Sequence, residues 1–250
     1  MTELTPELTP ELTIDSLHNG CLQIQQSPSG YRFSMDAVII ANIASIQSND
    51  RVLDLGTGCG VIPLILAYLH LEITVFGVEI QKSQADIAAA NVRNNHLENR
   101  ITIFHQDIKS LSVDQTSGNV NVVICNPPHI EKSCGRINPD RQLAVSRHEI
   151  EMTLDDVVKT AKKMLSPFGR LILIYPAKRL ADLTDRMRSC GIEPKKICIL
   201  YTKAETKAKR VIIEGIKDGK PGMVITKPLI IHNPDGTYTE MAKRIFSTQQ

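Results

Sequence analysis

The chain predicts an α/β fold, a mainly parallel sheet with helices on both faces. Three observations predict it. From Arg51 to Thr202, strand-like apolar runs alternate with helical stretches, the rhythm of successive βαβ units. Two runs, "VVIC" (122–125) and "LILI" (171–174), are apolar without interruption, as strands buried on both faces are. After Arg210 the order becomes strand, glycine-rich turn, strand, with no helix between, so antiparallel pairing is expected at one edge of the sheet.

Each element has a local reason. The opening "TELTPELTPEL" repeats T-P-E-L, and its regular prolines give residues 1–19 the character of a flexible tail outside the core. "CLQIQQ" is a short strand. "SPSGYRFSMDAVIIANIA" turns through Pro28 and Gly30 into a helix that Ser34 or Asp36 can cap, with Ala37, Ile40, Ala41 and Ile43 on its apolar face. "RVLDLG" is a strand, followed by a helix from about Val61. "TVFGVEI" is a strand and "SQADIAAANVRNN" a helix rich in alanine. "ITIFHQD" and "NVNVVICNPP" are the third and fourth strands of this series. "TLDDVVKTAKKMLSPFG" is a helix closed by Pro167 and Gly169. "RLILIYP" is the fifth strand, "KRLADLTDRMRSCG" a helix ending at Gly191, and "KKICILYT" the sixth strand. The expected organisation is a tail (1–19) and one domain (20–250), the latter made of an N-terminal lid and helix (20–48) and a core (49–250).

Composition limits the class. The 250 residues are 42% hydrophobic, enough for a sizeable core. The net charge of +2 and pI of 8.2 permit a nucleic-acid partner without requiring one. The six cysteines contain no C-x-x-C pair, so neither a disulfide frame nor a metal site is expected. No signal core precedes the domain, and the most apolar stretch, Val61 to Ile80, is broken by Pro63, His70 and Glu72. The expectation is a cytoplasmic protein without a membrane span.

The first chemical signal is "VLDLGTGCGVIPL", where a strand hands over to a helix. Gly56, Gly58 and Gly60 let the backbone turn tightly beside a ligand. A dinucleotide fingerprint reads G-x-G-x-x-G, but here the spacing is G-x-G-x-G and Val61 takes the last fingerprint position. Asp54 just before the loop would repel a pyrophosphate and attract a cation, so the loop favours a nucleoside carrying positive charge. Glu79 ends the next strand, where an acid accepts hydrogen bonds from ribose hydroxyls. Asp107 ends the third, where a carboxylate can accept from an adenine amine. In open sheets of this kind ligands bind beyond the carboxyl ends of the strands, so the three acids and three glycines share one rim.

The second signal is "CNPPHI" (125–130). Proline has no N–H and cannot continue a central strand, so the fourth strand stops at about Asn126 and passes into a stiff turn. Asn126 itself is pushed to an extended conformation by the proline that follows.

Together "VLDLGTGCG", "GVEI", "HQD" and "NPPH" resemble the four motifs of class I S-adenosylmethionine-dependent methyltransferases, over about residues 20 to 245. The resemblance implies a Rossmann-like, seven-stranded, mostly parallel sheet with an antiparallel edge strand. It implies S-adenosylmethionine as cofactor, with Asp54, Gly56, Gly58 and Gly60 around the methionyl part, Glu79 on the ribose, and Asp107 with Ile108 framing the adenine. It also implies that Asn126, Pro127, Pro128 and His129 form the catalytic turn of an enzyme that methylates a planar nitrogen. The Asn126 oxygen and Pro127 carbonyl would hold the amine, and residue 129 would stack on the flat target. His129 departs from the Tyr, Phe or Trp usual there; a neutral imidazole stacks over less area.

The flanks, "GYRFSMDAVIIA" and "SRHE" (146–149), are similar to bacterial tRNA adenine-N6 methyltransferases, implying tRNA as partner. A basic surface is then expected. Lys203, Lys207, Lys209 and Arg210, in the loop joining the sixth strand to the next, are its candidates, with Arg136, Arg141, Arg147 and His148, in the segment after the fourth motif, expected on the same rim. Tyr31 and Phe33 could close over the ligand. Two rival readings stay open: a protein-glutamine N5-methyltransferase of release factors, and a non-catalytic S-adenosylmethionine- or RNA-binding module. The segment before the glycine loop is shorter than the helical domain usual in release-factor enzymes.

Overall fold

In a computed structural model of the chain, residues 12–27, 33–127 and 152–246 are described. Strands β1 (Thr13–Leu17) and β2 (Leu22–Gln26) form an antiparallel hairpin. The first of these strands falls within the stretch expected to be a flexible tail. Its alternating residues, with Leu17 buried and Ser16 and Ile14 outward, pair residue for residue with β2, and that pairing overrides the low-complexity signal upstream.

The main body follows the expected alternation. Helix α1 (Met35–Ile43) leads into β3 (Arg51–Leu55), α2 (Val61–Leu69), β4 (Thr74–Glu79), α3 (Lys82–Asn94), β5 (Ile101–His105) and β6 (Val120–Cys125). Then come α4 (Leu154–Met164), β7 (Leu165–Pro176), α5 (Leu180–Ser189), β8 (Ile192–Tyr201) and β9 (Arg210–Lys217). The short strands β10 (Val224–Ile225) and β11 (Leu229–Ile230) and helix α6 (Glu240–Phe246) finish the described chain.

Among the described residues the sheet has nine strands, in the order β10-β8-β9-β7-β6-β3-β4-β5 with β11 also on β8. Without the two-residue strands β10 and β11, seven remain. Strand β9 is antiparallel to both β7 and β8, and every other pairing is parallel. The antiparallel strand thus lies at the expected end of the sheet, one place in from β8. The stretch after it was expected to be another antiparallel strand. It gives only the brief parallel pairings of β10 and β11, because Pro221 and Pro228 lack the N–H a ladder needs and Gly219 and Gly222 weaken the run.

The uninterrupted apolar runs are explained by a core on each face. On β6, Val122 and Ile124 join the core beneath α1 and α2, while Val123 and Cys125 join the core beneath α4 and α5. On β7, Ile172 and Ile174 go to the first core, Leu171 and Leu173 to the second. All eight are at most 1% exposed. Helix α2 is buried from Val61 through Ala67, which accounts for its lack of a polar face. Helix α4 starts with a capping box: Asp156 N–H donates to Thr153 Oγ1 at 3.2 Å and Thr153 N–H donates to Asp156 Oδ2 at 3.0 Å.

The N-terminal hairpin is fastened to the body by asparagine amides. Asn91 Oδ1 accepts from Gln25 N–H at 2.8 Å and its Nδ2 donates to Gln25 O at 2.9 Å. One helical turn on, Asn95 does the same to Gln23, at 2.9 and 2.8 Å. Two side chains spaced four apart, one in the last turn of α3 and one at its C-cap, thereby imitate a neighbouring strand and satisfy the outer edge of β2.

Candidate active site

The parallel register brings the ends of β3, β4, β5 and β6 to one rim. Leu55 pairs with Val78, Glu79 with His105, and Asp54 with Ile124. Above this rim is a pocket lined by Gly56, Gly58, Glu79, Asp107, Ile108 and Asn126, together with Phe33, Ser34, Gln81, Gln84 and Met152.

The glycine loop is shaped by hydrogen bonds to the neighbouring strand. The N–H groups of Gly56 and Thr57 both donate to Val78 O at 2.9 Å. Gly58 N–H donates to Glu79 Oε2 at 3.0 Å, while Glu79 Oε1 accepts from Gln81 N–H at 2.9 Å. Each oxygen of this buried carboxylate keeps a second lone pair for a ligand hydroxyl. Gly60 opens α2 with φ +87°, and a Cβ there would stand 3.2 Å from Ala88 Cβ. Glycine therefore serves both the left-handed turn and the close approach of α2 to α3.

Asp54 is placed differently from the other acids. It is fully buried beneath the loop and is not part of the pocket wall. Neither of its carboxylate oxygens, nor the Thr57 hydroxyl, has a hydrogen-bond partner among the described residues. Burial pushes the Asp54 carboxyl up to about 7; the nearby Thr57 hydroxyl pulls the other way and the charge of Glu79 adds to the rise. Gly60 is likewise behind the pocket, acting through packing.

Asp107 accepts from Lys109 N–H at 2.9 Å and caps the short 3₁₀ turn Ile108–Ser110, with the Lys109 ammonium 3.3 Å from its other oxygen. Ile108 is buried beside it.

Asn126 follows the last residue of β6, as the proline stop requires. Its Nδ2 donates to Ser34 Oγ at 3.1 Å. Pro127 is buried. Pro128 and His129 lie outside the described residues, as do Tyr31, Arg136, Arg141, Arg147 and His148. Phe33 does line the pocket.

Strand β8 runs parallel to β7, so the loop 202–209 leaves the sheet at the same rim as Asn126. Lys207 and Lys209 are exposed there. Lys203 donates to Pro234 O at 3.0 Å. Arg210 is engaged otherwise: its Nε is 2.8 Å from Asp36 Oδ2, an ion pair tying β9 to α1.

Ser34, Met152 and the two glutamines were missed as site residues. Ser34 carried a signal read only as a helix cap. Met152 reaches the glycine loop from well downstream, and a Cβ on Gly56 would be 2.8 Å from its Cε; no local pattern announces such a contact. Among the described residues no group of His, Cys, Asp or Glu could hold a metal ion, and no helix is long and apolar enough to cross a membrane.

A glycine loop, a strand-end acid and an Asn-Pro turn around one pocket invite comparison with known methyl-transferring proteins. The sequence pattern of the family described as "Methyltransferase small domain" matches residues 36–189, more than half of the chain. The chain belongs to this methyltransferase family. It is 31% identical over 227 residues to the tRNA1(Val) (adenine(37)-N6)-methyltransferase of Porphyromonas gingivalis, covering 86% of this chain and 87% of that protein. It is 28% identical to the protein of the same description from Actinobacillus pleuropneumoniae serotype 7, covering 86% and 88%. Among solved structures, a predicted O-methyltransferase from Agrobacterium tumefaciens superimposes with a TM-score of 0.69 at 19% identity, over 86% of this chain and 96% of that one. TYW2 of M. jannaschii in complex with AdoMet gives 0.56 at 14% identity, over 82% and 85%. These two likenesses bear on the fold, which is the expected Rossmann-like methyltransferase sheet.

Proposed function

We propose that this protein is an S-adenosylmethionine-dependent methyltransferase acting on the exocyclic N6 amine of an adenine in tRNA. The observation that carries the reading is that Asn126, at the start of the rigid Asn-Pro turn, opens onto the same pocket as the glycine loop and Glu79. The curated relatives named for adenine-N6 methylation of tRNA supply the substrate class.

The residues present fit the cofactor. The buried, unpartnered Asp54 carboxylate beneath the loop is an electrostatic attractor for a cation. Glu79 has free lone pairs at a strand end where ribose hydroxyls are held, and Ile108 offers an apolar wall beside Asp107 for a base. Gly58 leaves open space where any other residue would place a Cβ. When bound, S-adenosylmethionine supplies an electrophilic methyl carbon on a sulfonium that departs as a neutral thioether.

The chain's own part is positioning and hydrogen bonding. An adenine amine is a weak nucleophile because its lone pair is delocalised into the ring. Asn126 Oδ1 and the Pro127 carbonyl accept its two N–H bonds, which favours pyramidalisation and holds the nitrogen in line. Once methylated, the amine would release its extra proton to solvent, so no side chain here needs to act as a strong base. His129 is assigned to stacking on the target base, which leaves the anticodon stack to enter the site. Lys207 and Lys209 are assigned to tRNA phosphates.

The test is methyl transfer from labelled cofactor to total tRNA and, separately, to purified release factor. Label should appear in tRNA and, after digestion, in N6-methyladenosine. Label in release factor alone would establish the glutamine reading; cofactor binding with neither labelled would establish the non-catalytic module. Asn126→Ala should abolish transfer with cofactor affinity nearly unchanged.

A further inference from the structure

Gln26 is the last residue of β2, and at 2% exposed it is a buried amide. Both of its ends are engaged. Oε1 accepts from Phe33 N–H at 2.8 Å, and Nε2 donates to Asp15 Oδ2 on the other strand of the hairpin. Asp15 pairs in register with Ile24, so it is the diagonal cross-strand neighbour of Gln26. A backbone N–H can only donate and an ionised carboxylate can only accept, so the chemistry of the two partners sets which end of the amide faces which.

Phe33 stands just before α1, lines the pocket, and packs against the core beneath α1 and α2. The helix itself does not fix its backbone. Phe33 N–H precedes the helical ladder, and the N-cap Ser34 makes no side-chain bond to the first turn. The bond that holds residue 33 therefore comes from the hairpin, through Gln26. The same strand also holds the glycine loop. Asn91 Nδ2 donates to Gln25 O and to Cys59 O, both at 2.9 Å, and Cys59 lines the pocket beside Gly58. Two neighbouring residues at the end of β2 thus tie two parts of the pocket wall to one strand.

We propose that Gln26 is a positioning residue for cofactor binding: its amide ties the backbone of Phe33 to the N-terminal hairpin and so keeps the Phe33 ring on the pocket wall. The hairpin is then part of the binding site, although among its described residues none lines the pocket. The proposal rests on the reading of this pocket as the S-adenosylmethionine site.

A double-mutant cycle tests it, with S-adenosylmethionine Kd measured by titration calorimetry below the unfolding midpoint of each variant. Gln26→Met fills similar space but offers Phe33 N–H no oxygen, and should raise Kd about fivefold, the size of one lost hydrogen bond. Phe33→Ala removes the ring and should raise Kd about tenfold. Because Gln26 acts through that ring, Gln26→Met added to Phe33→Ala should raise Kd by less than about twofold more. Amide exchange at Phe33 should be slow in the wild type and faster in Gln26→Met. Fully multiplicative effects, an unchanged Kd in either single variant, or fast exchange at Phe33 in the wild type would overturn the proposal. Phe33→Ala and the wild-type exchange measurement decide the matter even where Gln26→Met fails to fold. Failure of the underlying reading has its own signature: the wild type itself would not bind S-adenosylmethionine.

Discussion

Burial of Asp54 without a partner makes the empty protein less stable as pH rises, and replacing it with asparagine should remove that dependence. In the unfolded chain this carboxyl ionises near 3.8; in the folded chain burial pushes it up to about 7. Between those values the unfolded state binds fewer protons than the folded state, so stability falls with increasing pH through that window. At 1.36 kcal/mol per pKa unit, the ionisation penalty is about 1.7 kcal/mol at pH 5 and about 4 kcal/mol at pH 7.5. Urea unfolding of the cofactor-free wild type and Asp54→Asn, at both pH values, isolates it. The stability of the variant relative to wild type should rise by about 2.5 kcal/mol between pH 5 and pH 7.5. Comparing the same pair at two pH values cancels whatever the amide itself gains or loses in place. A bound cation favours the ionised carboxylate, so wild-type cofactor affinity should strengthen as pH rises toward 7 and level off above it, a trend absent from Asp54→Asn. A relative stability that is the same at both pH values would refute the assignment of Asp54 as an ionisable group held in wait for a cation.

Three further outcomes follow from the geometry. Gly60→Ala forces a side chain into a left-handed turn and against Ala88, and should cost about 1–3 kcal/mol in denaturant unfolding. Asn91→Ala removes an amide that is fully buried and joined to Gln25 and to Cys59 O; it should cost about 3 kcal/mol and raise hydrogen exchange in the hairpin before the rest of the domain. Replacing Lys207 and Lys209 together with alanine should weaken tRNA binding and reduce the slope of log affinity against log salt by about 2, while cofactor binding stays at the wild-type level.

Much of this was legible from the chain alone, for local reasons. Proline chemistry ended β6 at the residue before the Asn-Pro step, because a missing N–H acts on its own neighbours. Continuous apolar runs announced strands covered on both faces, and the alternation of elements announced parallel pairing. The glycine spacing and the acids at successive strand ends then located a ligand rim, since the carboxyl ends of parallel strands share one edge. Three things needed the folded molecule. The hairpin of β1 and β2 depends on Asn91 and Asn95, whose helical spacing acquires meaning only when β2 lies alongside α3. Arg210, read as part of a basic surface for RNA, is paired with Asp36 of α1. Ser34, read as a cap, spends its hydroxyl on Asn126 because the end of β6 arrives beside α1. Periodicity and turn chemistry act between near neighbours and are written in order along the sequence. The pairing of distant polar groups is settled only when packing of the core removes water from both and leaves each the other as partner.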